Sequence, residues 1–176
     1  MDLCLVGSEM CIRDRYADKK LKADKDIVLA AVKQYGCALE YADKKLRANK
    51  KIVLVAVKQD GPALEYADKR LKADTEVVLA AAKKYAYVLE YADKKLRADK
   101  KFILTAVKQN GDALKYAEDN LKADKEIVFI AVKQYGRALQ FANDKLKVDK
   151  EVVLTAVKQD ENAAQYAGDK IRFDKA

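Results

Sequence analysis

A lysine recurs at one fixed interval along most of this chain, and a tyrosine follows three of these lysines, separated from each by a single residue. An evenly spaced row of ammonium groups can follow a polyanion by contacting its phosphates. These residues are therefore the candidate binding site. The lysines, called here the lysine column, are Lys33, Lys58, Lys83, Lys108, Lys133 and Lys158, and the tyrosines are Tyr35, Tyr85 and Tyr135.

The lysine column also has a plainer interpretation. Each lysine falls near the C-terminal end of a predicted helix, where a cation complements the carbonyl groups and stays in water. The spacing of Tyr35 from Val28 and Val32 favours a place for the tyrosine beside the core. We favour a solvated ridge and keep polyanion binding as the alternative.

The residue types that most enzymes need are absent or isolated. The chain has no His, its only serine is Ser8, and Cys37 therefore has no histidine to activate it. We interpret Cys37 as a chance occupant of a variable slot. In the other repeats that slot holds Pro62, Tyr87, Asp112, Arg137 and Asn162.

A column of aspartates precedes the predicted helices at the same interval as the lysines. It could bind a row of cations, but helix capping explains it better, because Asn49 occupies one of the slots. No zinc ligand set, glycine-rich phosphate loop or other cofactor signature is present, so we predict no cofactor and no metal site. Paired-carboxylate catalysis stays open. The aspartates are Asp24, Asp74, Asp99, Asp124, Asp149 and Asp174.

Residues 1–15 differ in composition from everything that follows. No basic segment precedes the short apolar run Leu3–Val6, so this is no secretory signal, and the cytoplasm is the default compartment. Leu5–Asp14 instead resembles a translated sequencing adapter along its whole length. We therefore predict an artefact at residues 1–15, outside the fold. Residues 16–176 are predicted to be an array cut at both ends from a longer protein.

The elements that position the lysine column repeat with a strict period. In one repeat, Asp124 caps a helix with an apolar face from Ile127 to Val132, and a second helix follows from about Arg137 to Lys147. Helices this short need neighbours to stack on. We predict an all-α fold, an α-solenoid of six 25-residue two-helix repeats plus a partial seventh. The repeats begin at Tyr16, Tyr41, Tyr66, Tyr91, Tyr116, Phe141 and Tyr166.

A glycine separates the two predicted helices. Gly136 is expected to take the left-handed conformation that ends many helices. The same slot holds Ala86 in the third repeat and Glu161 in the sixth. A non-glycine residue in that conformation costs about 1 kcal/mol, so we expect a strained turn or two fused helices there. A weaker period, twice the length of one repeat, indicates duplication of a two-repeat cassette, or alternate repeats that face different environments.

From Tyr16 onward the chain resembles the domain-of-unknown-function family numbered 4116. The resemblance rests on the cassette D-K-E-V-V-L-x-A-V-K-Q-x-G-x-A-L-x-Y-A, seen at Asp99–Ala117 and Asp149–Gln159. It implies an α-helical array with about two repeats per domain, of a kind found in microbial and secreted-effector-like proteins. It supplies no activity, because the family has no assigned catalytic motif. Ala86 and Glu161 depart from the family's glycine.

Composition limits the classes of partner. The net charge of +8 suits nucleic acid, acidic proteins or anionic membranes, but no apolar stretch is long enough to cross a bilayer. We predict a non-catalytic scaffold for protein–protein interaction whose partner is another protein, with no small-molecule substrate evident. The alternative is binding of a polyanion, a nucleic acid or anionic surface, along the lysine column. The third hypothesis is an enzyme whose catalytic domain is encoded elsewhere in the gene.

Overall fold

A computed structural model of the protein describes residues 18–172, without the side chains of Lys170 and Arg172. Every regular element in this range is helical, which confirms the all-α repeat fold. None of the helices between residues 18 and 172 has the length and apolarity needed to cross a membrane. The predicted artefact at residues 1–15 lies outside the described residues.

Each repeat contains three helical segments, in the order short helix, long helix and 3-10 helix. The short helices are Lys19–Ala23, Lys44–Arg47, Lys69–Lys72, Lys94–Arg97, Asp119–Lys122, Asp144–Lys147 and Asp169–Arg172. The long helices are Lys25–Gln34, Lys50–Gln59, Thr75–Ala82, Lys100–Gln109, Lys125–Gln134 and Lys150–Gln159. The 3-10 helices are Gly36–Tyr41, Gly61–Tyr66, Ala86–Tyr91, Gly111–Tyr116, Gly136–Phe141 and Glu161–Tyr166.

Side-chain caps begin the long helices, as the sequence predicts. Oδ1 of Asp124 accepts hydrogen bonds from the backbone N–H groups of Glu126 at 3.0 Å and Ile127 at 3.3 Å. These bonds satisfy donors that have no partner inside the helix. Equivalent capping bonds are made by Asp24, Asn49, Asp74, Asp99 and Asp149, while Asp174 lies outside the described residues.

The long helix ends in extended backbone, and the predicted left-handed turn at Gly136 is wrong. Tyr135 has φ −144° and ψ 100° and donates its N–H to the carbonyl of Ala131 at 2.8 Å. Gly136 lies outside the left-handed region and is the first residue of its 3-10 helix. The turn therefore needs no positive φ.

The strain and helix fusion predicted for the third and sixth repeats are also wrong. The residue before Ala86 is extended, with φ −133°, and the residue before Glu161 is extended, with φ −148°. Both repeats consequently keep separate helices. The third repeat differs in another way, because its long helix ends early, at Ala82, and is shorter than the others.

Close approach between repeats explains the glycines. A Cβ atom on Gly111 would lie 2.8 Å from the carbonyl oxygen of Ala131 in the next long helix. The missing side chain of Gly111 therefore allows this approach, since a Cβ atom there would push the next repeat away. The equivalent close pairs are Gly36 with Ala56 and Gly136 with Ala156.

The second predicted helix is broken into a 3-10 helix and a short α-helix. Between them Ala142 and Asn143 are extended, with ψ of 154° and 148°. The break allows the N–H of Asn143 to donate to the carbonyl of Lys122 in the preceding repeat, at 2.9 Å. The same bond joins Asp43 to Lys22, Asp68 to Arg47, Glu118 to Arg97 and Gly168 to Lys147.

The chain divides into two compact parts, Met1–Ala81 and Ala82–Ala176. Each part has two helical layers, because long helices pack on neighbouring long helices and 3-10 helices on neighbouring 3-10 helices. The core lies between the layers. Its fully buried side chains include Leu39, Ile52 and Leu64 in the first part and Ile103, Leu114, Ile127 and Leu139 in the second.

Candidate binding surfaces

The lysine column lies in the last turn of each long helix, or directly after it in the case of Lys83. All six lysines are exposed. None of them forms an ion pair with another residue in the described range. Each part of the chain therefore presents free ammonium groups on this surface, and their binding role stays a prediction.

The three candidate tyrosines lie where their long helices end. Tyr35 and Tyr135 are half-buried, whereas Tyr85 has 37% of its surface exposed. The ring of Tyr85 lies 5.8 Å from that of Tyr87, measured between centroids. Tyr85 is thus the most accessible of the three and has an aromatic neighbour.

Forked ion pairs link successive repeats. Nζ of Lys100 lies 2.8 Å from Oδ2 of Asp124 and 3.0 Å from Oε2 of Glu126. The hydrogen bond from Lys100 lowers the pKa of Asp124, and the bonds to Asp124 and then Glu126 raise the pKa of Lys100. The same fork joins Lys50 to Asp74 and Glu76, and Lys125 to Asp149 and Glu151.

The sequence analysis missed these forks, although it identified their aspartates. The available signal was a lysine directly after one cap, such as Lys100, together with an acidic pair at the next cap, such as Asp124 and Glu126. The capping aspartates of the forks therefore have two structural roles, as caps and as partners of the preceding repeat. Residues 18–172 contain no group of three or more His, Cys, Asp or Glu side chains placed to hold a metal.

Only 8% of the surface of Cys37 is exposed. It packs at the start of the 3-10 helix Gly36–Tyr41. A buried thiol without a histidine is a poor nucleophile. Its position fits a packing residue in a variable slot.

The short helices form a second basic surface that the sequence analysis did not identify. In residues 18–81 these helices carry exposed lysines that form no ion pair with a described residue. In residues 82–172, Lys122 and Lys147 instead pair with Asp119 and Asp144, each at 3.3 Å. The sequence signal for this surface was the repeated Asp-Lys-Lys, in which the aspartate caps the short helix. The exposed short-helix lysines without an ion pair to a described residue are Lys19, Lys20, Lys44, Lys45 and Lys69 in residues 18–81, and Lys95 and Lys145 in residues 82–172.

One face of the 3-10 helices differs in sequence between repeats. We call it the variable face and define it by three slots: the residue before each 3-10 helix and its second and fifth residues. The second slot is buried in Cys37, half-buried in Pro62, Tyr87 and Asp112, and exposed in Arg137 and Asn162. The fifth slot is occupied by Glu40, Glu65, Glu90, Lys115, Gln140 and Gln165.

The constant interior and variable exposed face define the class of protein: an all-α tandem-repeat protein. Within that class, the chain belongs to the family described as Domain of unknown function (DUF4116), which matches residues 15–47, 49–97 and 99–147. The two later matches each span two repeats, in keeping with the weaker two-repeat period. Comparison with curated proteins and with solved structures finds no match to this chain.

Proposed function

We propose that the protein is a non-catalytic helical repeat scaffold that binds another protein. The observation that carries the proposal is the location of the differences between repeats. Caps and most core residues recur, while the slots of the variable face hold different side chains in different repeats. Arrays of this kind bind through extended surfaces that successive repeats share.

The chemistry of the variable face favours a protein over a uniform polymer. Its second slot holds an aromatic ring at Tyr87, an acid at Asp112 and a cation at Arg137. A mixture of apolar, aromatic and oppositely charged groups is typical of protein interfaces. A phosphate backbone would instead select cations at every repeat.

The non-catalytic part of the proposal rests on the roles of the titratable side chains. Asp74, Asp124 and Asp149 cap helices and pair with lysines of the preceding repeat. Cys37 is buried, and the sequence has no histidine. These groups support the repeat fold and are poorly placed to act on a substrate.

Affinity capture with matched variants tests the proposal. The full chain is used as bait in an extract of the source cells at moderate salt. A face variant carries Glu40→Ala, Glu65→Ala, Glu90→Ala and Lys115→Ala, which removes four exposed side chains of the variable face. A control variant carries the same number of alanines on the short helices, at Lys19, Lys44, Lys69 and Lys94.

The proposal predicts a protein that the wild type and the control retain and the face variant loses. Recovery of the same protein by all three baits would contradict it, as would loss in the control alone. Circular dichroism melting of each bait establishes that the substitutions leave the fold intact.

A second candidate function is polyanion binding, favoured by the exposed and unpaired ammonium groups of the lysine column. Such binding weakens steeply as salt rises, because bound phosphates release their counterions. The double substitution Lys83→Glu and Lys108→Glu should then weaken binding of heparin or DNA and reduce its salt dependence. Undetectable binding of both polymers at low salt would exclude this function.

A further inference from the structure

A cleft of about 310 Å³ opens on the variable face of the second part of the chain. It reaches across three successive 3-10 helices, Ala86–Tyr91, Gly111–Tyr116 and Gly136–Phe141. Its volume falls at the lower end of the range for small-molecule sites. Four aromatic rings line it, those of Tyr85, Tyr87, Tyr116 and Phe141.

Two lysines lie close to aromatic rings of the cleft. Nζ of Lys84 lies 5.1 Å from the ring centroid of Tyr85, and Nζ of Lys115 lies 5.3 Å from that of Tyr116. Ammonium groups at these distances are attracted to the ring faces. Stacking surfaces and positive charge therefore occur side by side.

Polar acceptors complete the lining. Oδ1 of Asn110 accepts a hydrogen bond from the backbone N–H of Asp112 at 3.0 Å, which holds this turn in place. The Asp112 carboxyl is partly buried, and burial raises its pKa while the charge of Lys115 opposes that rise. A carboxylate in this position can accept hydrogen bonds from amino groups of a ligand.

The cleft coincides with the strongest departure from the repeat sequence. The position of Lys84 holds glutamine in all five of the remaining complete repeats. The position of Ala86 holds glycine in all of them except the sixth. The long helix of the third repeat also ends early, at Ala82, so Lys84 lies in the turn after it. The residues that form the cleft are thus specific to one place in the array.

We propose that this cleft binds a nucleobase together with its phosphate, from a free nucleotide or a single-stranded nucleic acid. The base stacks on the tyrosine rings, its amino groups donate to Asp112 or Asn110, and the phosphate contacts Lys84 and Lys115. Aromatic stacking beside a basic groove is how many proteins hold single strands. The proposal goes beyond the scaffold function and does not rest on it.

Other classes of ligand would interact favourably with fewer groups of the cleft. A cation would meet two ammonium groups and only one carboxylate in the lining of the cleft. An acidic peptide could pair with the lysines but would leave the rings unstacked and lie against Asp112. A nucleotide can stack on the rings, donate hydrogen bonds to the acceptors and contact the ammonium groups at the same time.

The test compares fluorescein-labelled oligonucleotides by anisotropy at fixed salt, with the full chain. One is a short single strand with bases, and the other is an abasic phosphodiester of the same length and charge. The cleft variants Tyr85→Asn and Lys84→Gln introduce residues found at the same slots of other repeats, Asn110 and Gln109, which favours correct folding. The matched control is Tyr166→Asn, the same change at a half-buried tyrosine that does not line the cleft.

The proposal predicts that the wild type binds the base-containing strand at least about fivefold more tightly than the abasic strand. Tyr85→Asn should abolish that ratio, Lys84→Gln should weaken binding of both strands, and Tyr166→Asn should leave both affinities unchanged. Competition by a mononucleotide identifies a free nucleotide as the source, and resistance to it identifies a strand. Equal affinity for the abasic strand, an unchanged ratio in Tyr85→Asn, or equal competition by polyglutamate would overturn the proposal.

Discussion

Glycine sets how closely neighbouring repeats approach. The sequence marks the glycine column clearly, but the role predicted for Gly136, a left-handed helix end, is wrong. The role of the glycines depends on a carbonyl oxygen in the following repeat, such as that of Ala131 opposite Gly111. A contact of this kind has no local sequence signal, so only the packed structure reveals it.

Adding one methyl group at this contact should destabilise the array. We expect Gly111→Ala to lower the free energy of unfolding by about 1–3 kcal/mol, because the new Cβ would lie 2.8 Å from the Ala131 oxygen. Urea unfolding followed by circular dichroism measures the change. Glu161→Ala is the control, since the same slot in the sixth repeat is exposed, and it should stay within about 0.5 kcal/mol of the wild type. Equal effects of both substitutions would contradict this role of glycine.

The capping aspartates should make stability depend on acid pH. Because Lys100 lowers the pKa of Asp124, ionised Asp124 stabilises the fold above its unfolded-state pKa of about 3.9. That stabilisation is lost as the pH falls through the lower folded-state pKa. Asp124→Ala should therefore cost about 1 kcal/mol at neutral pH and less in strong acid, near pH ~2. Urea unfolding at both pH values measures this, with the exposed Asp119→Ala as control, and an equal cost at both values would argue against it.

At the scale of elements, the sequence predicted the long helices and their caps but not the break in the second helix. The segment from Gly136 to Lys147 has continuous helical patterning, so the extended Ala142 and Asn143 are invisible in its periodicity. The break is stabilised by a hydrogen bond from the backbone N–H of Asn143 to the carbonyl of Lys122 in the preceding repeat. The cap column Asp43, Asp68, Asp93, Glu118 and Asn143 was a usable signal, because aspartate and asparagine favour the start of a new helix.

The ion-pair fork can be completed where the sequence omits it. Lys25, Asn49 and Lys51 occupy the repeat positions of Lys125, Asp149 and Glu151, which form a fork. The double substitution Asn49→Asp with Lys51→Glu should therefore stabilise the protein by about 0.2–1 kcal/mol. Thermal unfolding at low and at high salt measures it, and the gain should shrink at high salt. The same double substitution on a Lys25→Met background should gain less, and an undiminished gain there would contradict the fork.

At the scale of the molecule, strict periodicity was enough to predict an all-α repeat array, and the resemblance of its cassette indicated the family. It could not predict which surface carries function, because every repeat contributes to the lysine column, whereas the cleft depends on residues particular to the third and fourth repeats. Lys84 and Tyr87 were visible as departures, but only folding brings them beside Asp112 and Tyr116. Function in a repeat protein is therefore best sought where the repeat is broken.

The segment before the array should contribute nothing to stability. We expect a chain that begins at Tyr16 to melt at the same temperature as the full chain, because residues 1–15 resemble a translated adapter and lack the repeat pattern. Differential scanning calorimetry of the two chains at equal concentration measures this. A drop of several degrees on removal of the segment would show that it belongs to the fold.

The dissociation constant of the captured partner protein, measured by calorimetry at low and at moderate salt, tests the scaffold account most directly. Three chains are compared: the wild type, the face variant and the lysine-column variant Lys83→Glu with Lys108→Glu. The account predicts binding that the face variant loses, that the lysine-column variant keeps, and that changes little with salt. Binding that survives in the face variant but disappears with charge reversal or at moderate salt would contradict it.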